Sequence, residues 1–381
     1  MKKLVSILLV SAVLFSLSPA FAQGKDPVDL SKAVSALIID ADSGKVLIEK
    51  NSDKKVQAAG LKRLPALLTI CKAFDDGIIK EDTIVSVCPE AAGIKGPTAF
   101  LSANETIDAG QLLKAAVMLT AGDALYALLR NIFGTEQASL KAVNETLDTI
   151  GAERLSGDSM GGEASFSATE LAKISLELSK SEAFLKYSSV YIDTLTHENA
   201  KATELTNPNR LVRFYTGCFG LATGSVGASE YAGSFIARRG DTCFLCVVLG
   251  IPDSASRFDL ARDLFDWAFS TFRTVRIGKN DEILGSVRIK GGKVKETEVY
   301  TDCKASVLLP IGDAKIKTEA MIPDEVEAPL DAGAVVGTLM IYNSAGELIG
   351  EIPIKTKNTV EKAVFRDYFR DMILSWLRIA S

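Results

Sequence analysis

Ser52-Asp-Lys-Lys55 places a lysine three residues after a serine, a spacing at which an amine can ease the loss of a hydroxyl proton. It stands at the exit of an apparent hairpin, with no helix to hold the lysine beneath the serine. His197 is the only histidine, so any Ser-His-Asp relay would have to pass through it. No nucleophile elbow lies beside it, and its polar neighbours predict a solvated loop. Cys243-Phe-Leu-Cys246 falls within the apolar run Thr242–Leu249. Residues three apart on a strand face opposite ways, so these two thiols are not expected to bond each other. With Cys71 and Cys218 they are read as small core residues; Cys88 and Cys303 are left unpaired. The chain groups no zinc ligands and has no glycine-rich phosphate loop, so no metal and no cofactor is expected.

The elements that would carry any site are legible in the apolar patterning. Val34–Asp40 and Lys45–Glu49 flank Asp42-Ser43-Gly44 and predict a hairpin. Leu64–Phe74 predicts a helix. Thr106–Leu129 predicts two helices broken at Thr120-Ala121-Gly122-Asp123. Ser139–Ile150 and Ser167–Leu178 are further helices, the second opened by a capping box from Ser167 to Glu170. Tyr231–Arg238 and Thr242–Leu249 form a second hairpin, and Phe258–Phe272 is an amphipathic helix. From Val275 onward short alternating runs separated by Gly, Asp and Pro predict a small all-β domain.

The 381 residues are 47% apolar, which is enough for more than one core. A net charge of −5 leaves no basic footprint for nucleic acid. Met1-Lys2-Lys3, an apolar run from Leu4 to Leu17 and Ala20-Phe21-Ala22 read as a secretory signal over residues 1–22. The run is short for a spanning helix. At the other end, Phe365, Tyr368, Phe369, Met372, Ile373 and Trp376 recur at helical spacing. Such a stripe fits an in-plane membrane anchor or a helix packed on its own domain.

The stretch Asn51–Ile70 resembles the nucleophile segment of the serine-type D-alanyl-D-alanine carboxypeptidases, the low-molecular-mass penicillin-binding proteins. Their pattern there runs N-x-D-x-x-x-x-P-A-S-x-T-K-x-M-T. Asn51, Asp53, Ala59 and Leu64 fit, while the serine falls on Gly60 and its lysine on Arg63. A shift by one residue sets Lys62 against Ala59 and still supplies no hydroxyl or thiol. Pro65 moves the helix start or kinks it, because it lacks an N–H and its ring opposes the carbonyl of Leu61. Val117–Ala124 resembles the S-x-N region, with Thr120 for serine and Gly122 for asparagine. Leu205–Leu211 and Gly220–Gly224 resemble the asparagine-rich lead and the K-T-G strand, with Ala222 for lysine and Thr223 and Gly224 kept. Phe166–Ala172 matches the start of a family helix.

The resemblance implies an α+β fold: a serine-β-lactamase/D,D-transpeptidase-like domain over residues 23–273, an all-β sandwich over 274–357 and an amphipathic helix over 358–381. It favours the anchor, with Phe365, Phe369, Met372 and Trp376 meeting the outer face of the cytoplasmic membrane. The catalytic positions would be Gly60, Arg63, Thr120 and Gly122, and the substrate strand Ala222, Thr223 and Gly224. These substitutions lead to the expectation of a non-catalytic cell-wall protein that binds a peptidoglycan stem peptide weakly or regulates its metabolism. Two alternatives stand beside it. One is an active carboxypeptidase using Thr69, Cys71 or Thr120; the other is a scaffold for another envelope protein.

Overall fold

The computed structural model describes residues 27–198, 200–277, 283–301, 306–312 and 316–379. The signal segment and Cys303 lie outside them. Five antiparallel strands make the central sheet, in the order Val46–Lys50, Ser35–Asp40, Thr242–Ile251, Glu230–Arg239 and Cys218–Val226. Both expected hairpins are present, the second turning at Gly240 with φ +60°. A positive φ costs glycine little, which is why it sits at this tight turn.

Thr242–Ile251 is buried on both faces, and its alternation divides two cores. Cys243, Leu245, Val247 and Leu249 face the helical layer. Phe244, Cys246, Val248 and Ile251 face the helix Ser254–Thr271 on the other side. The two thiols therefore point apart, as a two-residue period requires. Cys71, Cys88, Cys218, Cys243 and Cys246 are all unbridged. Burial pushes the Cys218 thiol up to about 11 and the Cys243 thiol up to about 12.

At the centre of the helical layer is Leu64–Asp75, with nine of its twelve residues buried. Pro65 sits in its first turn, where the missing N–H has no intrahelical partner to lose. A short 3-10 turn, Ala59–Arg63, leads into it. Ala109–Leu119 and Gly122–Phe133 are the two expected helices, separated by Thr120 in the left-handed region at φ 49°. Thr106–Asp108, expected as the start of a helix, is instead a strand paired with Ile84–Ser86. The tertiary ladder outweighs the apolar periodicity there. Ser167 and Glu170 form the expected capping box of Ala168–Leu178.

Beyond the helix Ser254–Thr271 the chain turns all-β. Phe272–Arg276 pairs with Ser306–Pro310. Six strands form a mixed sheet in the order Lys317–Met321, Val335–Tyr342, Leu348–Thr356, Glu296–Thr301, Ile283–Lys290 and Glu325–Glu327. Val307 and Leu309 of the pair share a core with Val287, Val299, Ile341 and Ile354 of the sheet. Leu308, on the opposite face of its strand, packs into the core beneath Ser254–Thr271. Thr274 N–H also donates to Thr242 Oγ1 at 2.7 Å.

The helix Phe365–Ile379 ends the described chain. Phe365 and Trp376 on its apolar stripe are 83% and 78% exposed, and Tyr368, Phe369, Met372 and Ile373 are exposed as well. No helix among the described residues is long and apolar enough to cross a membrane.

Candidate active site

Three segments distant in sequence meet at Gly60. A Cβ on Gly60 would lie 3.2 Å from the Thr223 carbonyl oxygen, 3.5 Å from Gly224 Cα and 3.8 Å from Thr120 Oγ1. The 3-10 turn supplies Gly60, the break between two helices supplies Thr120, and Cys218–Val226, the edge strand of the sheet, supplies Thr223 and Gly224. The approach is close: a Cβ on Gly224 would stand 2.8 Å from Gly60 Cα. Ala222 on the same strand is buried in the helical-layer core.

Arg63 is 8% exposed and spends its donors on backbone. Nη1 donates to the carbonyls of Thr120 at 2.9 Å and Pro97 at 3.1 Å, and Nη2 donates to that of Lys95 at 2.9 Å. Burial lowers its pKa, opposed by the nearby Asp123 carboxylate. A guanidinium keeps its proton at any working pH, so it cannot serve as a base. Its place is bound up with Gly122, where a Cβ would stand 2.7 Å from Arg63 Cζ and 2.6 Å from Ile94 Cγ2. The arginine head thus fills the space a side chain at position 122 would take.

Asp123 lies in the first turn of the helix Gly122–Phe133 and is buried. Its carboxylate accepts from the N–H groups of Ala99, Leu101 and Ala124 at 2.8–3.1 Å. Between Ala99 and Leu101, Phe100 is held at φ +59°. A left-handed conformation costs a non-glycine residue roughly 1–2 kcal/mol, so the clamp sustains a strained turn.

The other candidates are accounted for elsewhere. Ser52 Oγ donates to Glu49 Oε2, while Lys55 pairs with Glu153 and Glu170, so the literal serine–lysine spacing makes no pair. Lys62 Nζ donates to the Gly162 carbonyl. Thr69 Oγ1 donates to the Pro65 carbonyl at 2.9 Å within its own helix. Cys71 is fully buried and burial raises its pKa, which disfavours a thiolate. Of the three alternative nucleophiles only Thr120 reaches the convergence point at Gly60, and its hydroxyl donates to the Leu119 carbonyl at 2.6 Å.

His197 corrects the sequence reading. It is 7% exposed, not solvated. Nδ1 lies 2.6 Å from Glu105 Oε1 and Nε2 lies 2.8 Å from Thr203 Oγ1. The hairpin of Ile192–Thr196 and Ala202–Thr206 folds the ring back onto the loop before Thr106. A lone histidine among polar residues gave no hint of a partner 92 positions away.

Arg257 was missed altogether. It is buried at the start of Ser254–Thr271, stacks over Phe258 and donates to the Gly224 carbonyl at 2.9 Å. Burial lowers its pKa to about 10. Its only trace in the sequence is a charged residue on an otherwise apolar helix face.

A five-stranded antiparallel sheet, helices over one face, and a turn, a helix break and an edge strand converging at one point define a penicillin-binding α+β fold with an appended β domain. A family model described as D-alanyl-D-alanine carboxypeptidase matches residues 22–252, and one for the penicillin-binding protein 5 C-terminal domain matches 272–362. The chain belongs to the D-alanyl-D-alanine carboxypeptidase family, whose work lies in peptidoglycan metabolism. It is 31% identical to D-alanyl-D-alanine carboxypeptidase DacF of Bacillus subtilis (strain 168), over 99% of this chain and 100% of that one. It is 24% identical to DacC of Escherichia coli (strain K12), over 96% and 94%. Penicillin-binding protein 5 from Haemophilus influenzae superposes with a TM-score of 0.76 at 20% identity, covering 89% of this chain and 100% of that one.

Proposed function

We propose that this family member is non-catalytic and acts in peptidoglycan metabolism by binding or regulation. One observation carries the reading. Where the turn, Thr120 and the edge strand converge, position 60 has no side chain, and the arginine one turn on is committed to backbone carbonyls. Neither a nucleophile nor a base stands at the family positions.

The substrate strand supports weak binding. Ala222 removes the lysine charge, and a hydrogen bond to a charged group contributes about 1.5–3 kcal/mol. That is roughly a tenfold to hundredfold loss in affinity for a peptide carboxylate. The exported location and the peripheral seat on the outer membrane face rest on the leading segment and on the exposed stripe Phe365, Phe369, Met372 and Trp376. Trp376 and the other aromatics suit the headgroup region.

Incubation with excess benzylpenicillin followed by intact-mass measurement is the test. No added drug mass is expected. A stoichiometric adduct overturns the proposal, and its mapping to Thr120 would establish the alternative of an active enzyme. That alternative draws on a hydroxyl 3.8 Å from where a Gly60 Cβ would lie.

A further inference from the structure

We propose that the loop 95–101 is a carbohydrate-contact site, with the Phe100 ring as a stacking platform for an N-acetylated pyranose of a glycan strand. The inference deepens the binding role proposed above and rests on it.

Phe100 is 73% exposed and makes no ring–ring or cation–π contact among the described residues. Its packing therefore does not explain an aromatic at this position, and its positive φ argues against one. Yet the turn is clamped from every side. Asp123 holds the N–H groups of Ala99 and Leu101. Arg63 holds the carbonyls of Lys95 and Pro97, and Gly122 N–H donates to Pro97 at 2.8 Å. Downstream, Ser102 N–H donates to Glu105, which His197 holds in turn. Buried charged groups thus fix the backbone turn that carries an exposed ring. Holding the loop in place before the ligand arrives lowers the cost of binding.

The single exposed ring selects a small ligand. A stable protein partner needs about 800 Å² on each side. Here the loop offers one aromatic ring, an exposed Pro97 and an exposed Lys95. A single sugar ring fits that area, its C–H face lying on the electron-rich face of the phenyl ring. The family's work on peptidoglycan brings a polymer of N-acetylated sugars to a protein of this class. The loop is hydrogen-bonded to Gly122 beside the cleft, so sugar and stem peptide could be met together.

Calorimetry on the full exported chain, with tetra-N-acetylchitotetraose and with a sugar-free stem pentapeptide as probes, tests this. The tetrasaccharide should bind wild type, weaken at least tenfold in Phe100→Ala, and bind Phe100→Trp with a change in tryptophan emission. Phe100→Gly should melt higher than Phe100→Ala, because glycine accepts the positive φ. Absence of tetrasaccharide binding to wild type, or equal binding to Phe100→Ala, overturns the site. Peptide binding without sugar binding overturns this inference alone; loss of both also removes the ligand-binding half of the proposed function.

Discussion

The Arg63 guanidinium occupies the volume of the side chain that Gly122 lacks, with Cζ 2.7 Å from where its Cβ would stand. The two positions therefore share one space. Gly122→Asn should displace the arginine from up to three backbone carbonyls and cost about 2–4 kcal/mol, as buried groups lose partners. Arg63→Lys combined with Gly122→Asn should cost less than the sum, with a coupling of about 1–3 kcal/mol. Urea denaturation of the four proteins of the cycle checks this; additivity would show the positions to be independent.

Restoring the two helix positions should not restore an enzyme. Gly60→Ser requires the Thr223 carbonyl to give by a few tenths of an ångström, since its Cβ would meet that oxygen at 3.2 Å. Gly60→Ser with Arg63→Lys still leaves Gly122 and Ala222 without polar reach. No D-alanine release from a stem pentapeptide is expected. Turnover above the wild-type background would show that the cleft had kept the rest of its machinery.

Deleting residues 358–381 should shift the protein from the membrane to the soluble exported fraction. The stripe is exposed along one helix, and burying it in a bilayer interface would be the favourable term. Fractionation of the two forms measures it. An unchanged distribution would assign the stripe to another contact.

His197→Ala should destabilise by about 2–4 kcal/mol, because it leaves the buried Glu105 carboxylate with only the N–H groups of Ser102 and Glu198 as partners. Glu105→Gln should cost less, since an amide oxygen still accepts from Ser102 N–H. Both should lower the melting temperature, and a neutral result for His197→Ala would show the pair to be incidental to stability.

The fold was largely readable from the chain because its signals are local. Asp42-Ser43-Gly44 and Arg239-Gly240-Asp241 mark hairpins by turn chemistry, and Ser167 with Glu170 marks a helix start by capping. The opposed faces of Cys243 and Cys246 follow from strand period alone. Thr106–Asp108 was misread because a three-residue strand is decided by its partner Ile84–Ser86, not by its own pattern.

By itself, the sequence determined the order of elements and that Gly60, Gly122 and Ala222 carry no polar side chain, since that is visible wherever the chain goes. Only the tertiary structure decided the rest. Arg63 turns to the carbonyls of Lys95, Pro97 and Thr120, His197 goes inside against Glu105, and Arg257 reaches Gly224. Each joins residues at least 30 positions apart. A buried charge must find whatever acceptor the packed chain presents, and that is fixed only once distant segments have met.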